Sequence, residues 1–190
     1  MKTKITLLLW TLILCACSKG SAFPRAVPTH PPTDTPHPPT SAATTDVSTT
    51  QCGYQWAYQE LPELTAQFDA IIQTLIPNSV SRATAYGENC IAANGQVVRF
   101  LVMETDFYVT VSVEILDDHE TFGNWIAQVM QVVNGLPPDL VQGPQPGFVE
   151  FRFEKDAMEG IGFRVPIRGF FETAGDKTGE ELFRLFYTSP

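Results

Sequence analysis

Phe107-Tyr108-Val109-Thr110-Val111-Ser112-Val113-Glu114-Ile115 decides the fold, because every odd position is apolar and the even positions carry Tyr, Thr, Ser and Glu. A strand turns successive side chains to opposite faces, so this stretch predicts a strand with one buried and one wet face. Upstream, residues 97–103 read as a strand apolar on both faces and residues 80–91 as another, with Asn94-Gly95 between them as a hairpin turn. Before these, Leu61, Leu64, Phe68, Ile71, Ile72 and Leu75 step by three and four. That spacing predicts a helix over 62–75, with Pro62 in its first turn and Pro77 beyond its end. Downstream, Phe122, Trp125, Ile126, Val129 and Val133 form the stripe of a second helix, closed by Asn134-Gly135 before Pro137-Pro138.

Residues 148–154 and 161–167 alternate again, and 156–160 joins them as a hairpin in which Pro166 marks an edge. Thr178 and Glu181 have the spacing of a capping box for a last short helix carrying Leu182, Leu185 and Phe186. The expected fold is therefore α+β: a mostly antiparallel sheet of about five strands, two or three helices packed on one face, and a disordered tether before it. The other face is expected to present Tyr108, Thr110, Ser112, Glu150, Arg152 and Arg164 to solvent or to a partner.

The N-terminal end carries Lys2, Lys4, an apolar run over residues 5–14, and then Leu14-Cys15-Ala16-Cys17. A membrane-spanning helix needs roughly 20 apolar residues, so this run has only the length of a signal-peptide core. The Leu-x-Ala-Cys ending resembles the lipobox of bacterial lipoproteins. That resemblance implies removal of residues 1–16 as signal peptide and a diacylglyceryl anchor, with palmitate-type chains, on Cys17. Ser18 stands where retention in the inner membrane usually has Asp, which implies the outer membrane in a cell with two membranes. The expected location is the bacterial cell envelope, outside the cytoplasm and held to the membrane by lipid; each buried methylene adds about 0.8 kcal/mol, so several chains make a lasting anchor. Two phrases, one from Glu104-Thr105-Asp106-Phe107 through Gly123-Asn124-Trp125 and one over 143–153, look like segments of small bacterial lipoproteins that bring no activity with them.

Residues 17–51 are rich in Pro, Thr and Ser and hold almost no large apolar side chain. Such a segment cannot bury enough surface to offset its ordering entropy, and at about 3.1 Å per residue its 34 residues after Cys17 could extend on the order of 100 Å. The paired His-Pro-Pro-Thr phrases at His30 and His37 fit a low-complexity spacer. Residues 52–190 make one acidic domain, with 8 Lys and Arg against 19 Asp and Glu. That charge opposes nucleic acid and anionic lipid headgroups. With Cys15 removed and Cys17 lipidated, Cys52 and Cys90 are expected to pair as a disulfide in an oxidising compartment.

No catalytic set stands out. Asp117-Asp118-His119-Glu120 is the one concentration of carboxylates and histidine, a weak candidate for a metal, and Asp117 with Glu120 fits a helix cap and capping box better. His119 is the only histidine of the domain and no Gly-x-Ser-x-Gly elbow is present, so serine catalysis has no support. Glu104 with Asp106, or Glu150 with Glu154, would be the carboxylates of a hydrolase. Pro144, Gln145 and Pro146, between Gly143 and Gly147, suit a preformed recognition loop, and Tyr54, Trp56 and Tyr58 suit either an aromatic patch or packing beneath the first helix. The expectation is a monomeric, cofactor-free lipoprotein whose domain binds an envelope protein or surface ligand. Its rivals are a carboxylate hydrolase of envelope polymers and an oxygen-ligand metal-binding domain.

Overall fold

A computed structural model describes residues 51–187; residues 1–16, read above as a signal peptide, Cys17 and nearly all of the Pro/Thr/Ser-rich segment lie outside the described residues. Five strands and four helices follow one another: β1 (Gly53–Glu60), α1 (Pro62–Leu75), β2 (Ser79–Ile91), β3 (Val97–Ser112), α2 (His119–Asn134), β4 (Gln145–Glu154), β5 (Gly160–Pro166), α3 (Ile167–Thr173) and α4 (Gly179–Phe186). The strands form one sheet in sequence order, β1-β2-β3-β4-β5. All neighbours are antiparallel except β3 and β4, which α2 connects as a parallel pair. The fold is α+β with a mostly antiparallel sheet.

Three details differ from the expectation. The two strands read over 97–103 and 107–115 are one strand, because Glu104 and Asp106 face away from the core and Thr105 stays in the ladder, its hydroxyl bonded to the Gln142 backbone. The fifth strand is β1, whose alternating Tyr54, Trp56 and Tyr58 lie on the helix-free side instead of packing beneath α1. A short helix, α3, follows directly on the edge strand that Pro166 ends.

The core lies between the helices and the inward side chains of the strands. Phe107, Val109 and Val111 of β3, Val149, Phe151 and Phe153 of β4 and Val165 of β5 are buried there with Leu64, Phe68 and Ile72 of α1 and Phe122, Ile126 and Val129 of α2. Phe122 stacks on Phe153 with ring centroids 4.2 Å apart, and Phe68 meets Phe107 edge-on at 5.0 Å. On α4 the buried residues are Gly179, Leu182 and Phe183, while Leu185 points to solvent.

Polar side chains close what the backbone leaves open. β1 ends at Glu60, opposite Thr84, so the next edge groups of β2 have no strand beside them. α1 takes over that edge: the Ala83 N–H donates to Thr65 Oγ1 at 3.0 Å and the Ser81 N–H to Asp69 Oδ1 at 2.7 Å. α2 and α4 approach closely because Gly123 meets Gly179; a side chain at 123 would collide with the Gly179 backbone, and Gly179 itself has φ of +57°. The Cys52–Cys90 disulfide, with Cα atoms 5.0 Å apart, fastens the start of β1 to the end of β2.

Two outcomes are expected. Gly123→Ala should lower stability by about 3 kcal/mol through overpacking against backbone, read as the urea midpoint. Reduction of the disulfide, which spans 38 residues, should lower it by at most about 4 kcal/mol; unchanged melting with and without reductant would refute a stabilising bond.

Candidate functional site

Among the described residues one face of the sheet carries no helix, and its cross-strand rows bring distant residues together. One row runs Tyr58, Tyr86, Glu104; the next runs Glu60, Thr84, Asp106; a third runs Arg82, Tyr108, Glu150, Arg164; and Thr110 lies opposite Arg152. Because these positions share the even parity of their strands, none can reach the core. What faces outward is unusually aromatic. Tyr54, Trp56 and Tyr58 are 56%, 57% and 57% exposed, and Tyr86 sits against two of them, stacked on Trp56 at 5.3 Å and tilted on Tyr58 at 4.9 Å.

The other half of the face is arginine-capped. The Arg82 guanidinium lies 3.8 Å over the Tyr108 ring and that of Arg164 lies 4.2 Å over Phe148. Arg164 Nε also donates to Glu150 at 2.9 Å, and Tyr108 meets Phe148 edge-on at 5.9 Å. Arg152 pairs loosely with Glu154 at 3.7 Å.

Asp106 lies at the centre of this face, on the middle strand, and is fully buried. Its Oδ1 accepts the Phe148 N–H at 3.4 Å, whereas Oδ2 has no hydrogen-bond partner among the described residues. Gly147 makes the approach possible, since a side chain there would collide with Oδ1 and the Thr105 carbonyl. Burial first, and then the negative charge of Glu104, push the Asp106 carboxyl up to about 6, against the opposing pull of the Phe148 N–H and Arg164. The Tyr86 phenol is likewise raised, by desolvation and by Tyr58, Glu104, Asp106 and Glu88 around it.

The expected surface residues Tyr108, Thr110, Arg152 and Arg164 lie on this face, with Ser112 at the end of β3. Pro144 remains exposed in the connection before β4, but Gln145 and Pro146 pair with Glu104 and Thr105 as the first residues of β4, so no free loop stands there. In the Asp117–Glu120 cluster the side chains of Asp118, His119 and Glu120 are used for structure. Asp118, one residue later than expected, caps α2 by accepting the Thr121 N–H at 3.1 Å. His119 stacks on Phe183 at 4.3 Å. Glu120 reaches across to α4 and accepts the Glu180 N–H at 2.9 Å, taking the capping role expected of Thr178, whose side chain makes no cap bond. Among the described residues no group of three His, Cys, Asp or Glu side chains could hold a metal, and no helix is long and apolar enough to cross a membrane.

Sequence reading did not single out Tyr86, Arg82, Glu88 or Phe148. The period-two spacing of Tyr54, Trp56 and Tyr58 was the available signal, since it marks a strand with one aromatic face. No family model, curated protein or solved structure matches this chain.

Asp106 makes stability depend on pH with a defined sign. Its folded pKa of about 6 exceeds the unfolded value, so its contribution is complete below about pH 4 and is lost as pH rises through about 6. Relative to wild type, Asp106→Asn should therefore gain up to about 3 kcal/mol between about pH 4 and pH 7, measured by urea unfolding; a constant difference would contradict the buried-carboxyl assignment.

Proposed function

We propose that the chain is a lipid-anchored protein of the bacterial cell envelope whose acidic domain binds a surface partner through the helix-free face of its sheet. One observation carries this reading: Tyr54, Trp56 and Tyr58 keep more than half of their surface in solvent on that face, while Phe107, Phe151 and Phe153 on the other are fully buried. Exposed Trp and Tyr are enriched at interface centres. The anchor rests on the lipobox resemblance at Cys17, and the Cys52–Cys90 bond suits an oxidising compartment. The Pro/Thr/Ser-rich segment would let the domain sample a wide volume above its membrane.

A carboxylate hydrolase draws on one observation, a raised Asp106 with Glu104 beside it, the pattern of a general acid with a charged neighbour. Asp106 is sealed from solvent, however, and offers a substrate no accessible oxygen. Binding is the better use of this face.

The test is chemical cross-linking on intact envelopes with full-length protein. Wild type should give a discrete adduct that Trp56→Ala with Tyr58→Ala abolishes while the unfolding free energy from urea titration stays within about 1 kcal/mol of wild type, as expected for exposed positions. An adduct that persists in the double variant would move the binding surface elsewhere.

A further inference from the structure

We infer that the Trp56–Tyr58–Tyr86 cluster seats a cationic side chain from an arginine- or lysine-bearing segment of a partner polypeptide. This rests on the binding reading above and names the partner's chemistry. The helix-free face repeats one arrangement, a ring covered by a guanidinium with a carboxylate nearby, and it does so with its own residues at Arg82 over Tyr108 and at Arg164 over Phe148 beside Glu150. At the β1 end the rings and the carboxylates are present with no guanidinium over the rings; Arg99 shares this face opposite Cys90, one row beyond Glu88, and forms no ion pair among the described residues. Glu88 lies opposite Trp56, Glu104 opposite Tyr86, and Glu60 two residues beyond Tyr58. None of these three carboxylates forms an ion pair among the described residues, and no arginine there lies over Trp56, Tyr58 or Tyr86.

Aromatic faces carry negative quadrupole potential, and three carboxylates around them deepen it, so the cluster attracts a cation by two additive effects. Asp106 acts on the cluster through space and not by contact: it is fully buried two residues from Glu104 on this face, its Oδ2 lacks a hydrogen-bond partner among the described residues, and its charge is among those that raise the Tyr86 phenol. The surplus of 19 Asp and Glu over 8 Lys and Arg in residues 52–190 favours a basic partner and works against a second copy of the same chain.

The groups facing Asp106 are Glu104 and Tyr108 on its own strand, Tyr86 and Arg82 from β2, Tyr58 and Glu60 from β1, Glu150 from β4 and Arg164 from β5. A bound cation favours the ionised carboxyl over the protonated one. Affinity should accordingly strengthen as pH rises through about 6.

Fluorescence anisotropy of a labelled hexa-arginine peptide with detergent-solubilised full-length protein tests the inference. Binding should weaken as salt rises from low to physiological levels. Trp56→Ala with Tyr58→Ala, which leaves net charge unchanged, should weaken it by about tenfold, and Glu88→Gln with Glu104→Gln by a similar factor. Glu172→Gln with Asp176→Asn removes equal charge at the end of α3, beside β4 and β5 and away from the cluster, and should leave binding within about twofold. If the aromatic variant binds as wild type does, or if the two charge-removing variants weaken binding equally, the attraction is diffuse and the inference falls. If a neutral N-acetylglucosamine hexamer binds in a Trp56-dependent, salt-insensitive way and hexa-arginine does not, the cationic chemistry is overturned while the binding face stands. Loss of Trp56 dependence in the envelope cross-linking removes the binding face itself.

Discussion

Phe107, Val109 and Val111 point from β3 into the core, while Glu104, Asp106 and Tyr108 point from the same strand to the helix-free face. This two-residue alternation on the central strand is the constraint on which the other elements depend. A slip of one residue would bring Asp106 into the apolar layer and turn Phe107 to water, so the register is strongly specified. Its neighbours hold it there: β2 pairs along almost its whole length, β4 along its second half, and the Thr105 hydroxyl ties the approach to β4 through Gln142.

Long-range polar contacts then finish what the strands leave incomplete. Thr65 and Asp69 of α1 answer the edge of β2 beyond the end of β1, and Glu120 of α2 caps α4. The Gly123–Gly179 approach lets that cap reach, since the helix backbones come closer than any side chain would allow. The outer edge of β1 is finished differently, with Tyr54, Trp56 and Tyr58 left in solvent. A domain that covers β2 by side chains and leaves these rings bare places three exposed aromatic residues side by side at one end of one face.

Charge divides that face. Arg82 and Arg164 are held over rings within the domain, so the half around Tyr108 and Phe148 is internally satisfied. The half around Tyr86 gathers Glu88, Glu104 and Asp106 near a phenol whose ionisation they oppose. Desolvation of Asp106 within this group stores an electrostatic cost that a cation would relieve.

Periodicity alone located α1 at Pro62–Leu75 and the principal strands, because a buried face writes itself into the chain at intervals of two or of three and four. It passed over β1, where Gly53, Gln55, Ala57 and Gln59 show no buried face to read, and over α3, whose seven residues are too few for a helical stripe. It broke β3 at Glu104-Thr105-Asp106, since a polar run reads as a loop until a second face exists to receive it. The amino-acid sequence by itself determined the α+β class and the separation of an acidic domain from a proline-rich segment, because these follow from local pattern and composition. Only the tertiary structure decided that Tyr58, Tyr86, Glu104 and Asp106 lie side by side and that Glu120 caps α4, because strand register and helix approach join residues far apart in the chain through backbone hydrogen bonds and close packing that no local pattern records.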